Sequence, residues 1–290
     1  MNEAVQTPYL VPFDGTFRIA DAPTTPLPQT RRGKAAKKAL VDERETLADL
    51  QRLLWADRSH ALLVIFQARD AAGKDSTIRH VFRGVNPAGV TVTSFGAPTK
   101  TEVEHDFLWR GSLALPRRGT IHVHNRSWYE ETLVVRVNPG FLGAQHISLP
   151  SDPDVLWQQR FDSMRDYEQH LARNGTAVVK FFLNVSQAEQ KNRFLRRLDL
   201  PEKNWKFNAG DLKSRAKWAE YDVAFEQALN ATSRPWAPWY AIPADDKPAM
   251  RLAVAEILVQ TLRRMKLDWP EPDPDEVAEF AASRAALMAE

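Results

Sequence analysis

An aspartate, a glycine and a lysine stand close together in Asp70-Ala71-Ala72-Gly73-Lys74-Asp75-Ser76, between the apolar run Ala61–Phe66 and a stretch of helical character, Lys74–Phe82. That placement suits anion chemistry. Backbone N–H groups of a turn between a buried strand and a helix form a cradle for phosphate, aided by the positive end of the helix dipole. Gly73 keeps side chains out of the anion's path, and the Lys74 ammonium reaches the oxygens of a transferred phosphoryl group. Ala71, Ala72, Gly73, Lys74, Asp75 and Ser76 are therefore the expected phosphate-binding residues. The strict pattern G-x-x-x-x-G-K-[ST] is not met, because Ala68 holds the first glycine position and Asp75 the hydroxyl position. The reading rests on the flanking strand and helix and on Asp70 within the loop.

A second group follows the strand candidate Thr120–His124, as Asn125-Arg126-Ser-Trp-Tyr-Glu130. The Arg126 fork suits phosphate oxygens, although a structural ion pair is the simpler role. Glu130 reads either as a site carboxylate or as an exposed helix acid. His122 and His124 alternate at strand spacing and read as satisfied strand histidines rather than metal ligands. Trp109 and Phe95 read as packing residues, with base stacking as the alternative. From Lys191 to Lys217 nine Lys and Arg face three acids, Asp199, Glu202 and Asp211. Such a run is either a solvated helical face or a surface for a polyanion. Arg193 and Arg197, four apart, share a helical face, and Lys206 lies beyond the turn near Pro201.

The elements that must position these groups alternate. Helix is expected over 34–55, strand over 61–66, helix over 74–82, strand over 90–95, helix over 102–115 and strand over 120–124. Helix follows over 126–135 and 154–173, then strand over 176–183, helices over 187–230, a short strand over 239–242 and helix over 247–265. Strands alternating with helices imply a parallel sheet covered on both faces. The helical excursion 187–230 stands where a lid would sit. Residues 1–33, with Pro8, Pro12, Pro23, Pro26 and Pro28, read as an extended arm, 34–268 as the main domain and 269–290 as a tail ending in a helix. The 290 residues are 43% hydrophobic and 26% charged, ordinary for a globular protein. With no cysteine there is no disulfide, thiolate metal site or cysteine nucleophile. The longest apolar stretch is too short for a membrane span and no secretory signal is visible, so the cytoplasm is the expected compartment. The net charge of +2 argues against general nucleic-acid binding.

Asp70-Ala-Ala-Gly-Lys-Asp75 resembles the phosphate loop of the polyphosphate kinase 2 family. The resemblance continues in family order through Gly84-Val-Asn-Pro87, Ser94-Phe-Gly-Ala-Pro98, His105-Asp-Phe-Leu-Trp-Arg110, Asn125–Glu131, Phe181–Ser186, Arg193-Phe-Leu-Arg-Arg197, Asn204-Trp-Lys-Phe207 and Ala237–Lys247, covering roughly 18–265. It implies a thymidylate-kinase-like P-loop α/β fold: a three-layer core with a parallel sheet and a helical lid. It further implies reversible, Mg²⁺-dependent (Mn²⁺ as the alternative) phosphoryl transfer between inorganic polyphosphate and adenine or guanine nucleotides, in a homo-oligomeric dimer or tetramer. By the same resemblance Asp70, Lys74 and Arg126 are catalytic. Asp70 is the main metal residue, with Asn125 and Glu130 beside it. Arg126, Glu130, Asp106 and Arg110 serve the nucleotide, and Arg193, Arg197 and Lys206 line a polyphosphate channel in the lid. Asn-Arg-Ser with Glu130 is similar to the subgroup that accepts both AMP and ADP. Ala68 and Ser76 stand where the family usually has glycine. Two other readings share the loop: an ATP-dependent nucleoside or nucleotide kinase, and a catalytically silent polyphosphate- or nucleotide-binding protein.

Overall fold

The computed structural model of the protein describes residues 3–290. Five strands, β1 (Ala61–Ala68), β2 (Val90–Ser94), β3 (Ile121–Asn125), β4 (Thr176–Asn184) and β5 (Trp239–Pro243), form one sheet in the order β2-β3-β1-β4-β5. Every pairing is parallel. Side chains of β1 alternate between faces. Leu62, Val64 and Phe66 join one core, Leu63 and Ile65 the other, which is why its apolar run is unbroken. The first core is completed by α1 (Gly33–Asp57), α2 (Lys74–Val81) and α10 (Lys247–Arg264), the second by α5 (Glu130–Val137), α6 (Pro153–Arg173) and α9 (Trp218–Thr232). The result is the three-layer parallel architecture expected. Because β1 lies between β3 and β4, the turns leaving β1 and β3 emerge side by side at the carboxyl edge, where open α/β sheets bind ligands.

Between β4 and β5 the chain makes a helical excursion through α7 (Gln187–Asp199), a 3-10 turn Pro201–Lys206, α8 (Ala209–Ala216) and the start of α9. The proline-rich N-terminal segment passes through a series of turns, and around Leu10 it pairs antiparallel with β5. Val11 N–H donates to Trp239 O at 2.9 Å and Ala241 N–H to Tyr9 O at 2.8 Å. This pairing covers a sheet edge that would otherwise offer unpaired backbone groups.

Two helix expectations need correction. The stretch 102–115 is broken into α3 (Lys100–Val103) and α4 (Trp109–Ser112). Thr99 and Glu102 form a capping box that starts α3, and the Asp106 carboxylate accepts from Leu108 N–H at 2.9 Å, diverting the chain between them. Helix α5 begins at Glu130, not Arg126, because Arg126 is left-handed at φ 68°. After α10, residues lead to α11 (Pro274–Met288), opened by an Asp273 capping box and exposed throughout. Among the described residues no helix is long and apolar enough to cross a membrane.

Candidate active site

The turn after β1 brings Asp70–Ser76 around the N-terminus of α2. Gly73 sits at φ 110°, a conformation L side chains rarely adopt, so the requirement for glycine is set by the backbone. Ala71 is also left-handed, at φ 60°. The first turn of α2 leaves N–H groups without intrahelical acceptors, facing the same space. Lys74 is buried and its ammonium donates back to Ala68 O at 3.0 Å. Burial, reinforced by the charge of Arg126, lowers its pKa to about 8. Ser76 Oγ and Thr77 Oγ1 both donate to Gly73 O, at 3.0 and 2.9 Å, fixing the turn from within.

The second turn is held to the first. Arg126 N–H donates to Phe66 O at 3.0 Å, and its guanidinium bridges Asp70 (2.9 Å) and Glu130 (3.2 Å). The charge of Glu130, then that of Asp70, overcomes burial and raises the Arg126 pKa further. Gln67, buried at the end of β1, fixes Glu130 from the other side. With its amide nitrogen toward Glu130 it donates to Oε1 at 2.8 Å and accepts from Ser127 N–H at 3.0 Å. Beneath this turn Lys180, fully buried in β4, donates to Tyr129 Oη and to Thr232 O, each at 2.9 Å, and pairs with Glu168. Burial dominates the Lys180 pKa and brings it down to about 8.

Two cavities meet at these turns. The larger, about 670 Å³, runs over the loop and carries Arg79 from α2, Arg196 and Arg197 from α7, Lys203 and Lys206 from the 3-10 turn, and Lys247 and Arg251 from α10. Only Asp70, Asp75 and Asp211 oppose them in sign. The smaller, about 340 Å³, lies between α5 and α9 and is faced by Leu133, Phe141, Trp218, Tyr221 and Phe225. Asp70, Arg126 and Asp211 line both. Burial, then the nearby Asp70, raises the Asp211 pKa.

The expected site residues separate into those that converge and those that do not. Asp70 to Ser76, Arg126 and Glu130 gather as one site. Asp106 and Arg110 lie elsewhere, in a cavity of about 260 Å³ beside α6, and Arg110 donates to Gly96 O at 3.0 Å. In the expected metal trio Arg126 stands between Asp70 and Glu130, while Asn125 Nδ2 donates to Asp75 at 2.6 Å. Among the described residues no group of three His, Cys, Asp or Glu could hold a metal ion. Arg193, expected as a channel cation, does line the trough, but it is 5% exposed and its donors go to backbone carbonyls and Glu189. Arg197 is paired with Asp211 at 2.9 Å, and Lys206 lies over the Trp205 ring at 4.8 Å. His122 bonds Thr93 and His124 bonds Ala114 O, each at 2.8 Å; burial lowers the pKa of both, that of His124 to about 4, and both are packing groups of the strand. Phe95 is buried against His124 and Arg110, while Trp109 stacks on His105.

Residues outside the sequence expectation also contribute. Lys247 and Arg251 stand four apart at the start of α10, a spacing that places both on one face. Lys180, a lone charge within Thr176–Asn184, is the kind of interruption that signals a buried polar network. Gln67 and Trp218 carried no such signal.

A phosphate loop at the switch point of a parallel sheet, with a cationic helical flap over it, defines a P-loop phosphotransferase. The model of the family described as Polyphosphate kinase 2 matches residues 31–270, and the chain belongs to that family. It is 49% identical to the ADP-polyphosphate phosphotransferase of Rhodopseudomonas palustris over 84% of this chain and 85% of the other. Identity is 43% to the AMP/ADP-polyphosphate phosphotransferase of Meiothermus ruber, over 91% and 96%. The crystal structure of Polyphosphate Kinase 2 from Arthrobacter aurescens TC1 matches with a TM-score of 0.88 at 36% identity, covering 99% of this chain and all of that one.

Proposed function

We propose that this protein transfers a phosphoryl group between inorganic polyphosphate and AMP or ADP, in either direction. The observation that carries the reading is the wall shared by the two cavities. A chain of phosphates needs an open trough of cations, and a nucleoside needs a compact apolar recess. Here the two meet only at Asp70, Arg126 and Asp211. The terminal phosphoryl of one substrate and the attacking oxygen of the other come together there.

Asp70, with Lys74 across the loop, marks where the transferred group sits. The attacking oxygen of a nucleotide is already anionic at neutral pH, so positioning and electrostatics carry the rate. Lys74 leaves Ala68 O to meet the bridging oxygens, and Arg126 holds the acceptor phosphate while Glu130, fixed by Gln67, holds Arg126. A divalent cation, Mg²⁺ or Mn²⁺, fits this donor set. Asp70 and Asp75 supply hard oxygens, Asn125 Oδ1 is buried without a partner, and Mg²⁺ takes its remaining ligands from phosphates and water. Bound there it would offset charge on the phosphates. Trough residues Arg196, Arg197, Lys203 and Lys206 belong to a lid over the polyphosphate, and Asp106 and Arg110 stand outside the reacting centre. Guanine nucleotides as further acceptors, a homo-oligomeric assembly and a cytoplasmic location complete the proposal. The net charge of +2 is the ground for leaving nucleic acid out of the proposed partners.

The test is an ATP-free assay with long-chain polyphosphate, Mg²⁺ and AMP, ADP or GDP in turn. Formation of the next higher nucleotide from AMP and ADP is expected. No product from any acceptor overturns the reading.

A further inference from the structure

Both ends of the helical excursion are fastened to four consecutive residues of the phosphate loop. At its first root, Gln190 Nε2 donates to Asp70 O at 2.9 Å. Arg193 Nη1 donates to Ala71 O (3.1 Å) and Ala72 O (2.6 Å), and Arg193 Nη2 reaches Ala244 O at 2.6 Å. At its second root, Asp222 pairs with Arg69, and the Arg69 guanidinium lies 4.2 Å from the centre of the Trp218 ring and 5.3 Å from that of Phe225. Arg215 ties the roots together, donating to Gln190 Oε1 at 2.8 Å.

Arg69 directly precedes Asp70 and is 7% exposed; it does not touch the trough, and it forms part of the wall of the smaller cavity beside Trp218 and Phe225. A buried guanidinium is costly unless charge and geometry both compensate; here one carboxylate and an aromatic cage offset part of the cost, while Nε is left without a partner and burial lowers the pKa to about 10. The cost has a structural return. Ala71 is held left-handed without being glycine, a strain that persists only where surroundings over-determine it. The grips on residues 69 and 71–72 are those surroundings.

We propose that Arg69 is a positioning residue for phosphoryl transfer: seated between Asp222 and Trp218, it fixes the direction of Asp70 and couples the second root of the lid to the phosphate loop. The helical segment between Arg193 and Arg215 is then free to move only on roots that also set the loop, so lid and loop respond together. This rests on the function proposed above.

The test compares Arg69→Gln, Arg69→Lys and Asp222→Asn with the unaltered protein, in steady-state kinetics with both substrates and in amide hydrogen exchange of the apo protein. Displacing a catalytic group by a fraction of an ångström to one ångström costs up to about a hundredfold. Arg69→Gln is accordingly expected to lower kcat at least about tenfold while KM for polyphosphate moves less than about threefold. Arg69→Lys, which keeps the charge but not the planar fork, should recover only part of this loss. Asp222→Asn should fall between, without the risk of removing the whole side chain. Exchange in 70–73 should quicken in Arg69→Gln while that in α1 stays unchanged. A folded Arg69→Gln or Asp222→Asn protein with normal kcat, or with exchange raised equally everywhere, overturns the proposal. If the unaltered protein forms no product from polyphosphate, the functional reading fails on its own, and exchange in the loop still decides whether Arg69 sets its geometry.

Discussion

The two cavities that share Asp70 and Arg126 are built on opposite principles. The trough is wide, lined from four separate elements by long cationic side chains, and reads charge without reading shape. The pocket is half its volume and is lined from α5, α8 and α9, with Leu133, Phe141, Trp218, Tyr221 and Phe225 forming an apolar wall opposite charged groups of both signs. Away from its reacting end polyphosphate is a repeating polyanion of identical units, so diffuse cations suffice. A nucleoside is compact and apolar on its faces, so a recess suffices. In the function proposed, specificity for two unlike substrates comes from dividing recognition between neighbouring surfaces and leaving only the reacting group in common.

The largest effect should come from the shared line between them. Lys74→Ala is expected to lower kcat about a thousandfold with either substrate varied, since it removes a preorganised charge at the transferred group. In the unaltered free protein the ammonium titrates near pH 8, because burial favours its neutral form. As pH rises through that value the charge is lost, so kcat/KM should fall on the alkaline side. A bound polyanion stabilises the ammonium, so the fall in kcat should come at higher pH. A flat kcat/KM profile from pH 6 to 10 would break this assignment.

A smaller effect should distinguish the trough. Arg196→Ala or Lys203→Ala should raise KM for polyphosphate several-fold, leave KM for the nucleotide in place, and flatten the dependence of log affinity on log salt by roughly 0.7–0.9 per charge. Phe141→Ala should do the reverse, raising KM for the nucleotide about three- to tenfold with no change in salt dependence. Phe141 is 56% exposed, so its loss should not unfold the chain. If the two sets of variants affect both substrates equally, the division of labour is wrong. The smallest effect concerns the loop itself. Ala71→Gly removes a left-handed L-residue but loosens the unfolded chain, and should stabilise by about 0.5 kcal/mol on balance, read as a small rise in Tm.

The contrast between regions also explains what could be read in advance. Strand β1 and the loop after it were legible because a strand buried on both faces leaves an unbroken apolar signature and a phosphate turn needs Gly73 at its bend. The break between α3 and α4 was not, since the stretch carries helical periodicity and the interruption depends on one Asp106 side chain turning back to the backbone. Arg193 was legible as a cation on a helix, but not as a prop for Ala71 and Ala72. Its neighbours there are more than a hundred residues away in the chain.

By itself, then, the order of residues determined the parallel α/β architecture, the position of the phosphate nest and the gathering of basic side chains on the excursion after β4. These depend on periodicity, local backbone preference and composition, all of which are properties of short segments. Only the tertiary structure decided which cations line the trough and which brace the loop, that Asp106 and Arg110 stand apart from Arg126 and Glu130, and that two cavities share one wall. A side chain's role there depends on which of its donors are already satisfied, and its partners come from distant parts of the chain.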